Sequence, residues 1–177
     1  MPYIQEQAAE KVDVSVIAQF IGLAAVITFL PFLIHLQWIT GPIVNALLIL
    51  ILFIVGIRAA LLMSLVPSVM ALAGGLLPAV LAPVVPFIMI GNAIFILSVD
   101  YLYRAAKNQF NGYWIGVIAG GALKYLFIYF NTNLMINLLL KKSLATAVMQ
   151  IVAWPQMATA FAGGMIAFVI LKRLKRI

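Results

Sequence analysis

Lys124 is the residue of this chain best placed to do chemistry. It lies in "GGALKYLFIYF", eleven residues beyond Tyr113, which is about 16 Å along a helix at ~1.5 Å per residue, and steps of four put it on one face with Gly116 and Gly120. That face points to packed neighbours. An ammonium at mid-membrane depth is costly and marks a functional site, although its long stem could instead carry the charge to the outer surface. Further hydrogen-bonding and stacking groups stand in the same apolar surroundings: Asn92 in "IMIGNAIF", and Gln150, Trp154 and Gln156 around "WPQMATAFAGG". Pro155 has no amide hydrogen, so it frees the carbonyl of Ile151 and predicts a bend that re-aims those three side chains. The uncharged stretch "PFLIHLQWITGP", bracketed by Pro31 and Pro42, adds His35, Gln37 and Trp38. It reads either as a lid over an outward-facing pocket or as an interfacial loop whose tryptophan joins the aromatic belt. A ring against tryptophan, amides on its edge and an ammonium beyond would suit a flat, polar, anionic small molecule.

Other chemistries are poorly provided for. The chain has no cysteine and a single histidine, which excludes thiol nucleophiles, disulfides and multi-histidine metal clusters. Paired carboxylates at depth, a Ser/His/Asp set and phosphate-cradling glycine motifs are also missing, so no catalytic residue, metal or cofactor is expected. Energy for any transport must come from elsewhere.

Such groups must be positioned by helices in a bilayer, because 66% of the 177 residues are hydrophobic, 8% are charged and the mean hydropathy is +1.20. A span needs about 20 mainly apolar residues. Charges, prolines and asparagines cut the chain into six: Val14–Leu33, Ile43–Gly56, Ala59–Leu77, Val84–Tyr103, Tyr113–Phe130 and Leu144–Leu171. The second is short and borrows residues from the loop before it or sits where the bilayer thins. Between the third and fourth, "GGLLPAVLAPVVP" supplies Gly74, Gly75, Pro78 and Pro83 for a tight hairpin. The expected fold is an all-α integral membrane protein of six transmembrane helices in one domain.

The net charge of +7 would suggest nucleic acid in a soluble protein; here it reports topology. With both termini cytoplasmic, Lys11, Arg58, Arg104, Lys107, Lys172, Arg173, Lys175 and Arg176 fall inside and only Lys141 and Lys142 outside. The terminal "LKRLKRI" then anchors at lipid headgroups. "MPYIQEQAAEKVDV" lacks the pattern of a cleaved signal and reads as a cytoplasmic lead-in. Asp100 and Arg104, four residues apart, predict a local ion pair. Small residues mark close helix approaches: Ser15, Ala18, Gly22 and Ala25 on the first helix, Gly116 and Gly120 on the fifth, Gly163 and Gly164 on the sixth. Packing within the chain accounts for most of them, and the first-helix stripe is the best candidate for a partner.

Six short spans, an uncharged first outer loop, the proline-rich "LVPSVMALAGGLLPAVLAPVVPFIMIGN" and a small-residue first helix resemble the substrate-binding S components of energy-coupling factor (ECF) transporters. The resemblance implies a prokaryotic cytoplasmic-membrane subunit that captures a vitamin or similar micronutrient. It implies a site made by the first outer loop and the outer halves of the fourth to sixth helices. It also implies docking, through small residues of the first helix, onto a transmembrane coupling protein driven by two ATP-binding cassette ATPases. The family's docking pattern is Ala-x-x-x-Ala, where this chain has Ala18-Gln-Phe-Ile-Gly22. A membrane-embedded enzyme or a structural subunit of a larger complex is the alternative from another class.

Overall fold

The computed structural model describes residues 14–139 and 154–177. Six α-helices are found there: α1 (Val14–Leu33), α2 (Gln37–Ile54), α3 (Ile57–Ala73), α4 (Val85–Ala105), α5 (Gln109–Leu139) and α6 (Trp154–Arg173). A 3-10 helix, Ala79–Val84, leads into α4. Five of these segments are long and apolar enough to cross a membrane, and α3 is a shorter apolar helix of 17 residues.

The local chemistry explains where the helices start and stop. Gly56, at φ +122°, makes the two-residue turn from α2 into α3, and Gly75, at φ +78°, turns the chain after α3; both are conformations open to glycine and strained for other residues. The Leu77 amide then donates to the Ala71 carbonyl, so the end of α3 is closed by the turn itself. Asn108 opens α5, its Oδ1 accepting from the backbone N–H groups of Phe110 and Asn111. Asp100 accepts from Arg104 Nε at 2.8 Å, the expected local pair.

Two boundaries depart from the sequence expectation for clear reasons. Pro31 and Pro42 do not bracket a loop: α1 runs through Pro31 to Leu33, and α2 starts at Gln37 and contains Pro42. Only residues 34–36 link the two helices, because a proline near a helix end removes one hydrogen bond without ending the apolar run. The second span thus draws on the residues before Ile43. The fifth helix extends from 109 to 139, well beyond 113–130. Its polar stretch Asn131–Asn133 does not break it: Asn131 Nδ2 donates to the Phe127 carbonyl one turn back, so the side chain is satisfied on its own helix. The expected start of the sixth span at Leu144 and the bend at Ile151 lie outside the described residues; Pro155 falls within α6.

α2 is the centre of the bundle. Every residue from Val44 to Leu52 is buried, as expected of a helix apolar on all sides. It packs on α1, α3 and α6, while α4 packs on α3 and α5, and α5 closes against α6. Crossings are made close by glycine. A Cβ at Gly116 would lie 2.9 Å from Val99 Cα, one at Gly120 3.1 Å from the Phe95 carbonyl oxygen, and one at Gly164 2.5 Å from Val117 Cγ1. These glycines therefore serve contacts within the chain.

The bundle has two dissimilar ends. At one, Phe53, Tyr103, Tyr113 and Phe168 meet, with ring centroids 4.8 Å apart for Phe53 and Tyr103 and 5.5 Å for Tyr113 and Phe168. Tyr113 also donates to the Gly164 carbonyl at 2.6 Å. Arg58, Arg104, Lys107 and the basic end of α6 belong to this charged end. At the other, His35 Nε2 donates to the Gly74 carbonyl at 2.7 Å and fastens the α1–α2 link to the turn after α3.

Candidate functional site

Lys124 lies fifteen residues into α5, about 22 Å from its Gln109 end at ~1.5 Å per residue, and inside the apolar stretch Gln109–Met135 that is long enough to span a membrane. Its side chain is 1% exposed. The ammonium donates to Asn45 Oδ1 on α2 at 2.9 Å and lies 5.6 Å from the centroid of the Phe95 ring on α4, within range of a cation–π attraction. The stem turns inward, so the structure places the charge inside the bundle and not at a surface. Glycine makes room for it, since a Cβ at Gly91 on α4 would stand 3.3 Å from Lys124 Cγ.

Around this ammonium lies a cavity that opens toward the His35–Gly74 end. Its cavity volume is about 70 Å³, and the empty space counted together with its open mouth is about 560 Å³. Half-buried Gln37 and the carbonyl-bonded Thr40 stand on its α2 wall, Ser68 on α3, Asn92 on α4, Lys124 on α5 and Gln156 on α6. Pro31, Val44, Pro67, Ala71, Leu76, Leu77 and Ile88 supply the apolar side chains of the lining. Several of these polar groups are held by one another or by backbone. Asn92 Nδ2 donates to the Ser64 carbonyl at 3.1 Å and to Ser68 Oγ at 3.5 Å. Asn45 Nδ2 donates to the Gly41 carbonyl at 2.9 Å and to Thr159 Oγ1 at 3.4 Å. A cavity so arranged offers one cation and several neutral hydrogen-bonding edges on an apolar wall.

Of the residues singled out in the sequence, Gln37, Asn92, Lys124 and Gln156 meet on this cavity. His35 does not line it and is spent on the Gly74 carbonyl. Trp38, in the first turn of α2, is 65% exposed and turned away from the cavity, because it sits a third of a turn round the helix from Gln37. Gln150 lies outside the described residues, as does the side chain of Trp154, whose backbone begins α6. Asn45 was missed. It carries the same signal as Asn92, an amide inside an apolar run, "GPIVNALLIL", in the span that the sequence reads as short.

Ala18, Gly22 and Ala25 are all exposed on α1, on the side away from Ile27 and Leu30, which are buried in the core. A Cβ at Gly22 would meet nothing within 4 Å. The contrast with Gly116, Gly120, Gly163 and Gly164 is complete: those glycines are closed against neighbouring helices, and this one is open.

Helices of spanning length, large apolar side chains on the outside and an apolar cavity edged by polar groups within make this a multi-pass membrane protein. The sequence pattern of the ECF transporter, substrate-specific component, matches residues 13–174, and the chain belongs to that family. No curated protein and no solved structure matches it. Membership makes the chain a transporter subunit with a small-molecule substrate, associated with the membrane and ATPase components of an ECF importer.

Proposed function

We propose that the chain captures a vitamin or related micronutrient at the outer face of a prokaryotic cytoplasmic membrane, and that the cargo carries an anionic group which Lys124 receives. The observation behind this is the buried Lys124 ammonium on a cavity wall, partnered by a neutral amide. Among the described residues Asp100 is the only acid, and it pairs with Arg104. A charge inside a low-dielectric site calls for an opposite charge, and the cargo is the component that can bring one. The amides of Gln37, Asn92 and Gln156 would meet the polar edge of a flat or heterocyclic part. Native mass spectrometry of the purified subunit tests this: a retained small acid is expected, and a retained cation would overturn the assignment.

The cavity end faces outward in this proposal, with both termini in the cytoplasm. Arg58, Arg104, Lys107, Lys172, Arg173, Lys175 and Arg176 all belong to the opposite end, in keeping with the excess of basic residues on cytoplasmic segments. A chain without cysteine makes the check direct. In whole cells a membrane-impermeant maleimide is expected to label Leu36→Cys and to leave Lys107→Cys unlabelled; the reverse pattern would invert the topology.

Delivery requires docking onto the transmembrane coupling protein and its two ATPases. The open face of α1 at Ala18, Gly22 and Ala25 is the proposed surface, since helices in lipid associate where small residues let backbones approach. Gly22→Leu is expected to abolish co-purification with the coupling protein while leaving cargo binding by the isolated subunit unchanged. Normal co-purification would move the interface elsewhere.

A further inference from the structure

A lysine stem has four rotatable carbons with which to place its charge, so something must hold Lys124 at the cavity wall. Asn45 does this, with Oδ1 2.9 Å from Nζ. An ammonium only donates, so the amide must present its oxygen to it. The amide nitrogen then faces acceptors, the Gly41 carbonyl at 2.9 Å and Thr159 Oγ1 at 3.4 Å. Reversing the amide would set NH₂ against ammonium and oxygen against carbonyl, so the orientation follows from the chemistry of the partners. Asn45 is itself wedged in place. A Cβ on Gly163 of α6 would come within 2.7 Å of Asn45 Cβ, so the α2–α6 contact fixes the amide and the amide fixes the ammonium.

The choice of an amide has an electrostatic consequence. Asn45 engages one of the three N–H groups of Lys124 without cancelling its charge. An aspartate is nearly the same size and would also tether the stem, but the pair would be neutral. Amide in place of acid therefore leaves the lysine without a neutralising partner on the cavity wall.

We propose that Asn45 is the positioning residue that sets the charge preference of this site, holding Lys124 as a tethered, un-neutralised cation so that a carboxylate ligand is favoured over its neutral amide counterpart. This role rests on Lys124 being the anion's partner. The test is to titrate the purified subunit with a panel of small aliphatic and heteroaromatic monocarboxylates, each beside its primary amide, and to follow the thermal shift. In the parent protein at least one acid is expected to bind about tenfold or more tightly than its amide, the scale of one charge-assisted hydrogen bond. In Asn45→Asp the preference should shrink to about twofold or reverse, because the acid then meets a neutral pair while the amide loses little. An Asn45→Asp protein that keeps the preference, or weakens acid and amide alike, would overturn the role of Asn45 and leave the anion assignment standing. No acid preference in the parent would overturn both. Should Asn45→Asp fail to fold, Asn45→Leu is compared in the parent and in Lys124→Met: loss of acid binding only where Lys124 is present supports positioning, and equal loss in both backgrounds overturns it.

Discussion

Lys124→Gln is expected to hold the retained cargo at least about tenfold more weakly than the parent subunit, close to 1.5 kcal/mol, the scale of a lost hydrogen bond to a charged group. Stability should move the other way or not at all. Glutamine can still bond to Asn45, and removing a buried charge relieves a desolvation cost that partly offsets whatever the ammonium contributes. Binding by isothermal titration and unfolding by thermal melt must be read on the same preparation. A stable Lys124→Gln protein with undiminished affinity would remove Lys124 from the site.

Gly163→Ala should be strongly destabilising for the addition of a single methyl. Its Cβ would fall 2.7 Å from Asn45 Cβ, 2.7 Å from the Pro42 carbonyl oxygen and 2.9 Å from the Ala46 amide nitrogen. Two of these atoms are backbone on the central helix and cannot rotate away, so α2 and α6 must part. Alanine gains about 1 kcal/mol over glycine in helix propensity, but overpacking costs roughly 1–3 kcal/mol and more where backbone is struck. A net loss of about 2 kcal/mol or more is expected, together with weaker cargo binding as Asn45 is displaced. Gly121→Ala is the control, since its Cβ would make an ordinary 3.4 Å contact with Ala160 Cβ and should leave the melting point unchanged or raised. Equal melting points for the two variants would mean that the α2–α6 contact has slack.

The helices were legible because apolar length is a strong signal, and α1 ends at Leu33, where the sequence reading ends it. What misled at Pro31, Pro42 and Asn131 was treating helix breakers and amides as punctuation. In a bundle their broken or extra hydrogen bonds are absorbed locally, as Asn131 does by bonding back to Phe127. The inward direction of Lys124 could be read from Gly116 and Gly120, because a small-residue face shows which side of a helix is packed. Its partner could not. Asn45 is 79 residues away, and no local pattern says which of several buried amides a lysine will reach. Trp38 shows the opposite limit: adjacent to Gln37 in sequence, it faces away because neighbours on a helix point about 100° apart.

The position of Lys124 deep within the spanning part of α5 also has an electrical consequence. An empty subunit would hold one elementary charge within the low-dielectric slab, and a subunit loaded with a monoanion would hold none. A full charge crossing the membrane field exchanges about 2.3 kcal/mol per 100 mV, and a charge near the middle feels a sizeable part of that whenever its helix tilts. Reorientation of the empty subunit would therefore do work with or against the membrane voltage, whereas the loaded one would move nearly free of it.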